Sequence, residues 1–270
     1  MLSLDWKERL KKDTIDFYER KLANKEFDID IVYNAYPERI DNKVPQVVIT
    51  FVAKTIASKM GKEAENYFDF YDYILEKKGE SGKIIFAYIM AKALKKKPEK
   101  FMDYLEKILL SIDDQRECNL IIDKAIYPIV KKDPLKYIDL FKKWMKHDNE
   151  HLLNSLQKVF IKLISADPEL IKPIFQRLET TWLYASPSMI KLNIQVLKAI
   201  QKIDQEFYLN VYKHYHFTRN PIFAEILCGA LLVRNDDIFK IVENWSKSGN
   251  IKLKKIGLHG LKILKKKKGK

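Results

Sequence analysis

Lys132-Asp133-Pro134-Leu135-Lys136-Tyr137-Ile138-Asp139-Leu140-Phe141-Lys142-Lys143-Trp144-Met145 is the stretch that decides the architecture. Proline at the first helical position gives up only an N–H that would be unpaired anyway, and the aspartate before it can accept a bond from the first turn. Tyr137, Leu140, Phe141 and Trp144 then recur at helical spacing. A polar break, His147-Asp148-Asn149, leads into a more evenly apolar run over residues 152–164. The stretch reads as the first helix of a helix pair.

The same reading recurs on both sides. Lys97-Pro98 opens a helix carrying Phe101, Leu105, Ile108 and Leu109, and Asp167-Pro168 opens one carrying Ile171, Ile174, Phe175 and Leu178. With Glu63, Pro98, Pro134, Pro168, Gln205 and Asp237 as phases, the steps are 35, 36, 34, 37 and 32 residues. Polar breaks at 113–115, 185–187, 218–220 and 248–250 precede second helices over 120–130, 189–203, 222–233 and 251–264. No segment alternates with period two over a useful length, so no sheet is expected. A period in this range with helix in both halves predicts an all-α, right-handed α-solenoid of about six repeats of ~35 residues. The expected organisation is a single domain over 1–270, with N-terminal helices in 1–62 (Leu4 to Leu22 and Pro45 to Met60), repeats over 63–264 and a basic tail at 265–270.

Composition narrows the setting. Eight glycines and nine prolines in 270 residues leave no flexible linker. Asp5, Glu8 and Arg9 stand among the first hydrophobic residues, which does not fit a secretory signal, and no apolar run reaches the roughly 18 residues that span a bilayer. Two cysteines, Cys118 and Cys228, far apart in a chain of this length make no disulfide framework. The expectation is a cytoplasmic, monomeric protein with reduced thiols and no membrane partner.

The net charge of +14 has meaning only if it is localised. Summed over the first helices of the six pairs the balance is −3, and over the second helices it is +18. In a right-handed solenoid one set of helices lines the concave surface. Lys83, Lys92, Lys124, Lys158, Lys162, Lys191, Lys198, Lys202, Lys252, Lys254 and Lys255 are therefore expected to form a basic inner face, the electrostatic footprint of a phosphate backbone or of an acidic protein partner. Half of the excess comes from the C-terminal segment, where a helix end favours cations without any ligand.

Motifs for chemistry are sparse. His147 and His151 have the four-residue spacing of zinc ligands, but Asp148-Asn149 reads as a break between helices and no third ligand is evident, so no metal is expected. There is no glycine-rich phosphate loop, no serine nucleophile elbow and no neighbouring Cys–His pair, and no cofactor is expected. Trp144, Trp182, Trp245 and Tyr184 read as core or rim packing rather than stacking platforms. Asp123 stands out because it interrupts the apolar run Leu120-Ile121-Ile122-Asp123-Lys124-Ala125-Ile126. A carboxylate there either pairs with a neighbour such as Lys124 or faces a groove.

From Lys43 to about Leu163 the chain resembles the bacterial AlkD-type DNA alkylation repair proteins, built from HEAT-like helix pairs. Val44-Pro45-Gln46 is similar to the family's early Thr-Pro helix start, and residues 119–123 fall where the family has Trp-x-x-x-Asp. Lys143-Trp144-Met145, then Asp148-Asn149 and a second helix, resembles the family's Lys-Trp, Asp-Asn, Trp-Leu-x-Arg stretch. The resemblance implies double-stranded DNA on the concave face and excision of cationic alkylpurines, with Asp123 matching the carboxylate that stabilises the developing oxocarbenium charge. Asn119 replaces the aromatic four residues earlier, the second Trp falls at His151, and Asn154 replaces the Arg while remaining a DNA-contact position. These departures resemble a branch that binds DNA without excision. The alternative reading is a protein–protein interaction scaffold whose basic face takes an acidic partner.

Overall fold

The structure, a computed structural model, describes residues 6–36 and 38–266. Leu4 and Asp5 at the expected start of the first helix, and residues 267–270 of the basic tail, lie outside the described residues. The described chain is all-helical, with fifteen α-helices, short 3-10 and π turns, and no strand beyond one isolated bridge between Ile40 and Lys43. The chain divides into two compact units, Met1–Lys132 and Asp133–Lys270. The boundary falls among the exposed residues Lys131, Lys132 and Asp133.

In the first unit, α1 (Trp6–Asp16) runs into a π turn, Phe17–Leu22, and is followed by α2 (Gln46–Met60), α3 (Phe68–Lys77) and α4 (Gly79–Ala93). α5 (Pro98–Ser111) precedes α6 (Gln115–Ile121), a π turn over Ile122–Ile126 and α7 (Tyr127–Val130). α4 is the hub and packs against α2, α3, α5, α6 and the second π turn. Its nearly unbroken apolar sequence follows from that position, because Ile84, Ile85, Phe86, Ala87, Ile89, Met90 and Ala93 are all buried. Gly82 permits the closest approach to α3. A Cβ at that position would lie 1.7 Å from the carbonyl oxygen of Ile74.

The second π turn has a covalent cause. Pro128 has no N–H for the carbonyl of Lys124, and its ring would collide with that carbonyl in a regular helix. Widening the ladder just before the proline removes the collision. Asp123 sits inside this widened turn.

The second unit contains α8 (Pro134–Met145), α9 (Glu150–Ala166), α10 (Ile171–Glu179), α11 (Pro187–Ile203), α12 (Gln205–His214), α13 (Pro221–Gly229), α14 (Asp236–Ser246) and α15 (Ile251–Lys266). Side-chain caps start them. Asp133 accepts from the backbone of Lys136, Asn149 from Leu152, Ser186 from Met189, Asp204 from Phe207 and Asn220 from Ile222. Asn235 accepts from Asp237 and Ile238, and Asn250 from Lys252 and Leu253. Asp167 caps the 3-10 turn that leads into α10. The Asp-Pro steps in the sequence are therefore helix starts, as their chemistry requires.

Packing in this unit is layered. α9 lies against α11, α11 against α13 and α13 against α15, while α10 lies against α8 and α14 against α12. Trp144, Trp182 and Trp245 are buried between the layers. Trp182 makes edge contacts with Phe175 and Phe223 and donates to Asn193 Oδ1 at 3.0 Å. Each such large side chain gains several kcal/mol from removal of its area from water, roughly 25 cal/mol per Å².

α13 ends at Gly229, four residues short of the expected Val233. The cause lies on α12, where the buried Tyr212 hydroxyl donates to Leu227 O at 2.8 Å and the Tyr208 hydroxyl to Ala230 O at 3.0 Å. These donors satisfy carbonyls at the C-terminus of α13 that a longer helix would have used.

Candidate nucleic-acid interface

Charge separates between the two layers of the second unit. α9, α11, α13 and α15 carry eleven lysines against two glutamates, Glu150 and Glu225, whereas α8, α10, α12 and α14 carry seven basic residues against six acidic ones. Helical spacing places the cations in rows, Lys158 and Lys162 on α9 four residues apart, and Lys191, Lys198 and Lys202 on α11 at intervals of seven and four. Lys158, Lys162 and Lys202 are exposed and Lys198 is half-buried. Asn154 is half-buried one turn before Lys158. Lys191 is exposed but pairs with Glu150 at 3.3 Å, a surface bridge worth under about 1 kcal/mol and readily exchanged for another anion.

The α15 lysines divide. Lys252 and Lys255, with His259, line one wall of a cleft between α11, α13 and α15, while Lys254 is exposed and does not line it. Cys228 contributes to the floor of that cleft, and burial pushes its thiol up to about 12. Cys118 and Cys228 are both buried, and neither is in a disulfide.

The first unit departs from the expected basic surface. Lys83 is half-buried and ion-paired with Glu117, in a cleft of about 580 Å³ that is also lined by Asp72, Glu76, Asp113 and Asp114. Lys83 is thus a counter-charge within an acidic cleft and not a solvated phosphate ligand, because the acidic α3 and the Asp113-Asp114 break bring carboxylates to the same place. Lys92 is exposed near the end of α4. Lys124 Nζ lies 5.6 Å from the centre of the Tyr88 ring, and Lys54 Nζ from α2 lies 5.5 Å from it. Two cations share one aromatic ring. Lys54 and Tyr88 were not singled out in the sequence, where nothing ties a lysine on one helix to a tyrosine more than thirty residues later.

Asp123 is half-buried in the π turn, and Asn119, one turn earlier, accepts from Gln115 Nε2 at 3.3 Å. The amine of Lys124, the neighbour suggested by sequence, is directed at Tyr88. Asn119 and Asp123 belong to the first unit, Asn154 and His151 to the second. His147 lies in the break after α8, and His151 is in the first turn of α9, so the two histidines do not share a helix face. Among the described residues no cluster of three His, Cys, Asp or Glu side chains could hold a metal ion, and no helix is long and apolar enough to cross a membrane. Of the aromatics, Trp144, Trp182 and Trp245 are core residues, whereas Tyr184 is 84% exposed.

Comparison with protein-family models, with curated proteins and with solved structures gives no match.

Proposed function

We propose that this protein is a double-stranded-DNA-binding protein of HEAT-like stacked helix pairs that holds the phosphate backbone on the lysine-bearing layer of its second unit and does not excise bases. One observation carries the reading, the excess of lysines on the layer of α9, α11, α13 and α15, concentrated on α11 with three and α15 with six and no carboxylate on either, while the opposing layer is nearly balanced. A solvated coat of lysines kept for solubility would have no reason to prefer one layer. Rows of flexible, exposed ammonium groups match a charged backbone, whose condensed counterions are released on binding. Lys158, Lys162, Lys198 and Lys202 are the proposed phosphate ligands, with Asn154 as a neutral donor beside them.

Asp123 is not assigned a catalytic role in this reading. Excision calls for a lesion held against aromatic faces, and the corresponding positions are Asn119 and His151. The test is a binding titration with duplex DNA over a range of salt, run beside a glycosylase assay on DNA containing N7-methylguanine and N3-methyladenine. Salt-sensitive binding without base release is the expected result. Release of methylated purine that is lost in Asp123→Asn, at unchanged melting temperature, would overturn the non-catalytic part of the proposal.

A further inference from the structure

The cleft between α11, α13 and α15 differs in kind from the lysine rows beside it. It has a volume of about 740 Å³, and Ile194, Pro221, Ile222 and Ile256 give it aliphatic walls. Lys252, Lys255 and His259 stand at positions i, i+3 and i+7 of α15, on one face, with Glu225 the single carboxylate lining the cleft. All three cationic or titratable side chains are exposed, and among the described residues none makes an ion pair or a side-chain hydrogen bond. Unpaired cations beside an aliphatic trough pose a joint requirement. The occupant must carry negative charge along one side and apolar groups along the other.

We infer that this cleft is a docking site for an acidic peptide segment of a partner protein, whose aliphatic side chains enter between Ile194, Ile222 and Ile256 while its carboxylates meet Lys252, Lys255 and His259. Charge complementarity selects the occupant. A DNA backbone would satisfy the cations but has no aliphatic groups for the walls, and no Phe, Tyr or Trp lines the cleft to stack a base. An amphipathic acidic helix satisfies both, because leucines at i, i+3 and i+7 fall on one face and glutamates on the other. The inference is independent of the duplex reading, which uses lysines of α9 and α11.

The test uses the full chain and three labelled synthetic peptides. One has glutamates on one helix face and leucines at i, i+3 and i+7 on the other, the second has serine for leucine, and the third has lysine for glutamate. The acidic leucine peptide is expected to bind at least about tenfold more tightly than either counterpart, a difference of about 1.4 kcal/mol. The pair Lys252→Glu with Lys255→Glu should weaken it by about tenfold or more, as should Ile256→Glu made separately. Lys158→Glu with Lys162→Glu should leave peptide binding unchanged while reducing duplex binding. Since Lys252 and Lys255 are exposed, their variant keeps the test informative even if Ile256→Glu does not fold. Equal binding of the serine peptide would reduce the site to bulk charge and overturn the inference. So would undiminished binding by the lysine-pair variant, or displacement of the peptide by phosphatidylserine vesicles, which would make a lipid the occupant.

Discussion

Gly257 marks the place where α15 crosses α14, since a Cβ there would lie 2.4 Å from Ser246 N and 2.7 Å from the carbonyl carbon of Trp245. Backbone atoms cannot yield as a flexible side chain can, so Gly257→Ala is expected to cost about 1–3 kcal/mol in urea unfolding. Gly249→Ala, where nothing lies within 4 Å, should change stability by less than about 0.5 kcal/mol. Equal effects of the two would show that the crossing is looser than described. Cys228 gives a chemical test at the same scale. Its raised thiol, 2% exposed, should stay unmodified by iodoacetamide at pH 8 in the folded protein and react once the protein is unfolded, as read by mass spectrometry. Little at this scale was legible in advance. That Lys83 would pair with Glu117, thirty-four residues later, and that Lys54 and Lys124 would share Tyr88, depend on which helices touch. A single sequence lists charges without naming their neighbours.

Helix boundaries were far more legible, because caps are local chemistry. Asp133-Pro134 and Asp167-Pro168 could be read directly, and the polar breaks contained Asp114, Asn149, Ser186, Asn220 and Asn250, each of which caps the helix that follows. Asn235→Ala removes an oxygen that accepts from two backbone N–H groups of α14, and a loss of about 1 kcal/mol is expected from thermal unfolding. No measurable loss would mean that water substitutes fully for the cap. The end of α13 was not legible, since it depends on hydroxyls from another helix. Tyr212→Phe should cost about 1–3 kcal/mol by denaturant titration, because the Leu227 carbonyl loses its buried donor. The π turn around Asp123 could have been suspected from Pro128 alone, although the proline does not say whether a helix will bend, stop or widen.

At the scale of the whole molecule, the alternation of first and second helices was readable from period and caps, but the charge does not follow it pair by pair, since α8 carries three lysines and one aspartate against two lysines and one glutamate on α9, and α13 carries no lysine. What was not readable is the division into Met1–Lys132 and Asp133–Lys270, since the periodic signal runs through the boundary at the Asp133-Pro134 step without a change. The candidate interface was legible in part. Lys158, Lys162, Lys198 and Lys202 lie on the packed helices α9 and α11, whereas Lys83 is held in an acidic cleft and Lys252 and Lys255 line a trough whose aliphatic walls come from three separate helices. Duplex binding through the lysine rows is the central claim, and the slope of log affinity against log salt tests it most directly. Each lysine that neutralises a phosphate contributes about −0.9 to that slope. Lys158→Glu, Lys162→Glu and Lys202→Glu together are predicted to flatten it by about 2.7 or to abolish binding, with the melting temperature unchanged because all three side chains are exposed. An unchanged slope in the folded triple variant, or no duplex affinity at low salt in the parent chain, would contradict the account.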